Sequence, residues 1–278
     1  VRAVGLIAGE GGFPVLFAQA ARRSGCRVVA CAIVGAAPAE IESSADKTYW
    51  VKLGKIGTLL EHFRTEGIKD VVMCGRIRKE IFFKNPAIDW VGMKLLSHLN
   101  DFRTGRILSA AANFLEEQGF SVRSSVLFLG DLLPVAGVLT RRTPNDREQA
   151  DIDFGVRMAR ALSDLDIGQS VVVKDRIVVA AEAVEGTDET IERGGRIAGA
   201  GTVVVKMNAP GRDLRFDVPT VGVATIRRMR SVGSTVLAVH AGQTLLLEKD
   251  ALLAEAEDAG ISVVAVDPAP VSEESAGR

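Results

Sequence analysis

The stretch Val4-Gly5-Leu6-Ile7-Ala8-Gly9-Glu10-Gly11-Gly12-Phe13-Pro14 decides the fold of the first half of the chain. Val4 to Ala8 is a short apolar run that reads as a strand, Gly9 to Gly12 as a glycine turn, and Val15 to Ser24 carries helical spacing up to Gly25. In such a turn, backbone N–H groups can approach phosphate oxygens while the helix dipole favours negative charge. Gly9, Gly11 and Gly12 are therefore candidate ligand-binding residues. A dinucleotide fingerprint would need a third glycine where this chain has Pro14, and an acidic residue about 20 positions on. The second strand instead ends Cys31-Ala32-Ile33-Val34-Gly35, without a carboxylate. NAD is disfavoured; a nucleotide or phosphate ligand, or a plain tight connection, stays open.

Outward from that stretch, Arg27 to Val34, Thr48 to Val51 and Val71 to Cys74 read as further strands, and Thr58 to Glu66 as a helix closed by Gly67. Helical patterns follow over about 87–99 and 106–118. The alternation predicts a mostly parallel sheet with helices on both faces. Cys74-Gly75-Arg76-Ile77-Arg78-Lys79 follows a strand end, where ligands of open α/β sheets dock. If Gly75 and Arg76 face the same crevice as Gly11 and Gly12, the two segments make a nucleotide cradle; a solvated charge run is the alternative.

The grammar changes near Pro134, which predicts domains over 1–133 and 134–278. A helix is expected from about Glu148 to Ser163, then strands Val171 to Lys174 and Ile177 to Ala183 joined at Asp175-Arg176, a two-residue hairpin connection. Thr202 to Lys206, Thr235 to Val239 and Ile261 to Val266 are further strands, with helices near Thr190 to Ile197, Thr225 to Arg230 and Lys249 to Ala259. The fold class is α/β, with a parallel sheet first and a mixed sheet second. A disordered tail is expected after Pro268.

Composition bounds the function. With Lys plus Arg at 34 against Asp plus Glu at 35, the net charge of -1 removes the footprint of a general nucleic-acid binder. The 28 glycines beside 11 Phe, 2 Trp and 1 Tyr fit many tight turns around a Val/Ala/Leu core. Cys26, Cys31 and Cys74 make no disulfide framework, so a reducing compartment is expected. His62, His98 and His240 match no zinc spacing, so a metal here would be a hard cation held by oxygens. The N-terminal apolar run is too short for a signal peptide or span, and a cytoplasmic protein without a spanning helix is expected.

Two clusters of the second half carry chemistry. Glu182-Ala183-Val184-Glu185-Gly186-Thr187-Asp188 ends a strand and starts a helix, with Thr187 or Asp188 as a natural N-cap. Three carboxylates in seven residues suit a divalent cation or a general base. In Arg212-Asp213-Leu214-Arg215-Phe216-Asp217-Val218, an extended backbone would put Asp213, Arg215 and Asp217 on one face, although the pattern by itself favours a salt-bridged edge strand. Pro219-Thr220-Val221-Gly222 then opens a helix whose free N–H groups can bind phosphate.

Leu6-Ile7-Ala8-Gly9-x-Gly11-x-x-Pro14, Val72-Met73-x-Gly75-Arg76, Val138-Leu139-Thr140-Arg141, Asp166-x-Gly168-Gln169-Ser170-Val171, the Glu182 to Asp188 motif and Asp213-x-Arg215-x-Asp217-x-Pro219-Thr220-x-Gly222 run in order across nearly the whole chain. Together they resemble the UDP-2,3-diacylglucosamine pyrophosphatases of the alternative, non-calcineurin-like type. The resemblance implies a Rossmann-like UDP-binding domain followed by a domain that holds the acylated glucosamine phosphate. It implies hydrolysis to UMP and 2,3-diacylglucosamine 1-phosphate (lipid X) in lipid A biosynthesis, supported by Mg²⁺, with water attacking the β-phosphorus. It also implies peripheral contact with the inner membrane, for which Arg227, Arg228 and Arg230 are candidates, and a homodimer.

Glu185, Asp188, Asp213 and Asp217 are then the candidate bases and ligands, with Asp188, Asp213 and Asp217 as metal ligands. Gln169, Thr187, Lys206, Arg215, Thr220, Gly222 and Thr225 join the glycines and Arg76 as substrate-binding candidates. One departure stands out. The family pattern continues Pro-Thr-x-Gly-x-Asp-Thr, whereas this chain reads Pro219-Thr220-Val221-Gly222-Val223-Ala224-Thr225. Alanine neither takes a proton nor ligates a cation, so a crippled copy is expected, with engineering favoured over natural drift. A non-catalytic nucleotide-binding or regulatory protein is the competing class.

Overall fold

The computed structural model describes residues 2–76, 88–97, 104–209, 215 and 218–267. The expected helix start at 87, the end of the basic run at 77–79, His98 and the tail after Pro268 lie outside them. The chain divides into two compact units, residues 1–130 with 213–218, and residues 131–212 with 219–278. The sequence reading keeps 213–218 with the second half. In the structure Arg215 belongs to the first unit: Ser125 N–H donates to its carbonyl at 2.9 Å, and its guanidinium meets Glu116 Oε1 at 2.7 Å.

In the first unit β1 (Ala3–Ala8), β2 (Arg27–Ile33), β3 (Lys47–Val51), β4 (Asp70–Cys74) and the short β5 (Ser121–Val122) form an all-parallel sheet in the order β3-β2-β1-β4-β5. Both faces are covered, so the strands are apolar throughout rather than alternating; Val28 to Ala32 are all buried. The helices are α1 (Phe13–Arg23), α2 (Ile41–Ser44), α3 (Ile56–Thr65), α4 (Trp90–Ser97) and α5 (Thr104–Glu117). Phe63 of α3 and Phe120 meet edge to face inside one core cluster with Val29, Val71 and Met73. The cysteines are free and buried, and burial pushes the Cys31 thiol up to about 12, as expected of core residues.

In the second unit β6 (Gly137–Val138), β7 (Ser170–Lys174), β8 (Ile177–Ala181), β9 (Val203–Lys206), β11 (Val236–His240) and β13 (Ser262–Val266) form a mixed sheet ordered β6-β13-β11-β9-β7-β8. Its centre, β9, β11 and β13, is parallel. The period of two sorts the faces: Val203 and Val205 pack under α6 (Asp146–Asp164), while Val204 faces the cluster of α7 (Thr187–Ala198), α8 (Val223–Ser231) and α9 (Lys249–Asp258). A separate parallel pair joins β10 (Thr220–Val221) to β12 (Leu245–Leu246).

Two local sequences fix this arrangement. Asn145 caps α6 through Glu148 N–H at 3.0 Å while the Glu148 carboxylate accepts Asn145 N–H at 2.9 Å, a reciprocal capping box. The hairpin between β7 and β8 turns on Asp175 and Arg176, both left-handed without glycine. Buried Asp151 of α6 holds that turn by accepting both residues' backbone N–H groups, at 3.0 and 2.5 Å.

Candidate active site

The first unit presents its candidates at the carboxyl ends of β1 and β4, where the strand order reverses. In open α/β sheets ligands sit at this switch point. Gly9 N–H donates to the Cys74 carbonyl at 2.8 Å, Glu10 N–H to the Arg76 carbonyl at 2.7 Å, and Arg76 N–H back to Glu10 at 3.1 Å. The loops after β1 and β4 are thus zipped together through Gly9, Glu10 and Arg76. Glycine is required at the crossing. Gly75 has φ +89°, and a Cβ there would lie 2.8 Å from the Glu10 carbonyl; one on Gly9 would lie 2.7 Å from that of Arg76. Gly75→Val is therefore expected to lower the stability of the protein by about 1–3 kcal/mol, read as a lower urea midpoint. Gly12 is the N-cap of α1 and offers no side chain, so the first N–H groups of that helix stay open. Gly11, Gly12 and Arg76 are exposed.

The second unit builds its candidate cluster at the carboxyl end of β9. Antiparallel pairing sets Ser170 of β7 opposite Lys206 of β9. Lys206 is 5% exposed, and its ammonium donates to Thr187 Oγ1 at 2.8 Å and to Ser170 Oγ at 3.3 Å. Thr187 O–H in turn donates to Glu182 Oε1 at 2.9 Å, Gln169 N–H donates to Glu182 Oε2 at 3.2 Å, and Lys206 lies 3.8 Å from that second oxygen. Burial pushes the Glu182 carboxyl up, but Lys206, the hydroxyls of Ser170 and Thr187 and the Gln169 N–H outweigh it, leaving the group below the usual carboxylate range.

Thr187 is the first residue of α7 and not its cap. Gly186 takes the N-cap position, and the hydroxyl expected to close the helix serves Lys206 and Glu182 instead. A cation beside the positive end of a helix is unfavourable by itself. Glu182 offsets it, lying 3.8 Å from the ammonium and accepting the Thr187 hydroxyl. The motif around Gln169 gains a physical reading as well. A Cβ on Gly168 would meet the Glu182 carbonyl at 2.2 Å, so only glycine lets Gln169 N–H come within reach of that carboxylate.

Other candidates fall elsewhere. Glu185 lies past the end of β8 and folds onto its own helix: it meets Arg193 at 2.8 Å and accepts Thr190 O–H at 3.3 Å. Asp188, on the first turn of α7, is exposed, and its carboxylate makes no hydrogen bond or ion pair among the described residues. Asp213 and Asp217 lie outside the described residues. Thr220 is in β10 rather than at a helix start; α8 begins at Val223 after the N-cap Gly222, and Thr225 is buried in its first turn. Ala224 is exposed there. Arg227 and Arg230 pair with Glu255, at 3.1 and 3.6 Å, and Arg228 pairs with Glu192, so their charges are locally matched. Among the described residues no three His, Cys, Asp or Glu side chains gather as a metal site, and no helix is long and apolar enough to cross a membrane. Neither Glu182 nor Ser170 is singled out by the sequence, because it takes the β7–β9 register to bring Ser170 opposite Lys206 and the β7–β8 pairing to bring Glu182 beside Ser170.

The order of the motifs and the architecture agree with a comparison against family models. Residues 3–132 match the model of the LpxI N-terminal domain and residues 135–264 that of the LpxI C-terminal domain. The chain belongs to the LpxI family. A curated LpxI relative, the UDP-2,3-diacylglucosamine pyrophosphatase LpxI of Caulobacter vibrioides, is 31% identical over 281 residues, covering 96% of this chain and 99% of the relative. Solved structures are far more distant. A CobK precorrin-6A reductase shares 12% identity over 98% of this chain and 90% of its own, with a TM-score of 0.35. The biotin carboxylase subunit of a pyruvate carboxylase shares 14% over 62% of this chain and 34% of its own, with a TM-score of 0.28.

Proposed function

We propose that this LpxI-family chain hydrolyses the pyrophosphate bond of UDP-2,3-diacylglucosamine, releasing UMP and 2,3-diacylglucosamine 1-phosphate (lipid X) in lipid A biosynthesis. The observation that carries the reading is the near full-length match to a relative of that name. The two anion-binding edges support it. The first unit takes the UMP phosphate on the N–H groups of Gly11 and Gly12 at the start of α1 and on the Arg76 guanidinium, with Gly9 and Gly75 holding the two loops together. The second holds the sugar-linked phosphate with Lys206, Thr187 and the start of α7, and Gln169 secures Glu182 behind them.

Mg²⁺ is the supporting cation. It prefers oxygen ligands, and the exposed Asp188 carboxylate fits that chemistry and would be one of its ligands. When bound, it neutralises charge growing on the phosphates and makes water more acidic. Water attacks the β-phosphorus and UMP departs. Glu185 shapes the turn before α7 through Arg193 and Thr190. Ala224 leaves this copy without one carboxylate, so its turnover is slow.

The diacylated substrate resides in a bilayer, so peripheral contact with the cytoplasmic face of the inner membrane belongs to the reading, as does the homodimer implied by the resemblance. A non-catalytic nucleotide-binding protein is the second reading, and Ala224 is the observation that favours it. Hydrolysis in ¹⁸O-labelled water tests the mechanism. The label is expected in the sugar phosphate and only when Mg²⁺ is supplied; label in UMP contradicts attack at the β-phosphorus.

A further inference from the structure

Asn208 is fully buried, and neither its amide oxygen nor its amide nitrogen has a hydrogen-bond partner among the described residues. It stands two residues past Lys206, just beyond the carboxyl end of β9. The backbone at this point is firmly held. Asn208 N–H donates to His240 Nδ1 at 3.3 Å, and Ala209 N–H donates to Ser163 Oγ at 2.9 Å. His240 is itself buried at the end of β11, and because its Nδ1 accepts, the ring carries its proton on Nε2. Two consecutive backbone amides are thus pinned while the side chain between them is left unserved.

An unmet amide in a protein interior is unfavourable, and native folds rarely keep one without a reason. The position supplies a reason, since the carboxyl edge of parallel strands is where α/β sheets receive ligands. The flanking Met207 and Ala209 are buried apolar residues, so the unmet amide sits in an otherwise apolar stretch.

We infer that the Asn208 carboxamide receives the amide-linked acyl group at C2 of the glucosamine. The inference rests on the proposed function and adds a recognition residue to it. A carboxamide presents a C=O acceptor and N–H donors side by side. The 2-N-acyl amide presents an N–H that the Asn208 C=O can accept, leaving the Asn208 N–H groups for a neighbouring acceptor oxygen of the sugar. The 3-O-acyl ester and the phosphates only accept, and a hydroxyl offers both functions on one atom. Asn208 therefore reads the nitrogen at C2.

The test is equilibrium binding, measured by calorimetry on the chain as it stands, where slow turnover leaves the complex intact. UDP-2,3-diacylglucosamine is compared with the UDP-2,3-di-O-acylglucose analogue, for the native protein and for Asn208→Leu. The native chain is expected to favour the amide by at least about tenfold, and Asn208→Leu to bring the ratio to about one. The variant is also expected to melt at or above the native temperature, because two unmet polar atoms have been removed from the interior. A preserved ratio, or a lower melting temperature showing that Asn208 serves a structural partner or an ordered water only, overturns the inference and leaves the hydrolase reading standing. Failure of the native chain to bind either compound overturns both.

Discussion

Ala224→Asp is expected to raise UMP release from UDP-2,3-diacylglucosamine by about 10²–10⁴-fold, the range that a positioned acid or base contributes. Position 224 is exposed in the first turn of α8, whose N-cap, Gly222, supplies no side chain to the open N–H groups. A carboxylate there lies in the positive field of the helix start, which favours its ionised form and lowers its pKa. The same field makes the change neutral or slightly stabilising, so a gain in rate will not be confounded by loss of fold. Ala224→Asn is the control, matching shape without charge. Rates for the two variants that agree within a few fold would remove position 224 from the chemistry.

Lys206→Met is expected to be the most damaging single change in the second unit. It strips the partner from a carboxylate in a buried site, and breaking such a pair typically costs about 3–5 kcal/mol. For a domain of this size that lowers Tm by about 6–20 °C. Adding Glu182→Gln should return much of the stability, because the stranded charge is gone, while substrate affinity stays lost. A double variant that regains affinity would show that Lys206 only supports the fold. The pH dependence has a definite sign. The Glu182 carboxyl is held below its ordinary value, so its contribution to stability is present above the unfolded-state pKa and disappears as pH falls through the lower folded-state value. In Lys206→Met the group is buried without its cation, and acid should lose that destabilising effect.

Much of the fold is legible because local chemistry repeats the global plan. Val4 to Pro14 contains a buried strand, a turn and the start of a helix in eleven residues, and the structure places β1 and α1 there. Asp175-Arg176 marks the hairpin even without glycine, since the two residues separate two apolar runs. The short elements were not legible: β5, β6, β10 and β12 have two residues each and no period to detect. The return of Arg215 to the first unit has no local signature, because its partners Glu116 and Ser125 are about a hundred positions away.

The candidate site divides along the same line. The glycines at the switch point are legible as structure, because the backbone crossing there demands glycine at Gly9 and Gly75. Thr187 was identified, but a helix-capping hydroxyl and one that orients a lysine look alike until Lys206 is seen beside it. Glu182 and Glu185 look alike in the sequence, and only the pairing of β8 with β7, which carries Glu182 to Ser170 and leaves Glu185 in the following turn, tells them apart. Asn208 carried no signal, because an unmet amide is defined by its surroundings.

The most direct test of the central claim is mass spectrometry of the products after the purified chain and its Ala224→Asp variant are incubated with UDP-2,3-diacylglucosamine and Mg²⁺. The expected result is UMP and 2,3-diacylglucosamine 1-phosphate in equal amounts, formed slowly by the chain itself and much faster by the variant. Intact substrate in both reactions, from proteins that remain folded, would contradict it.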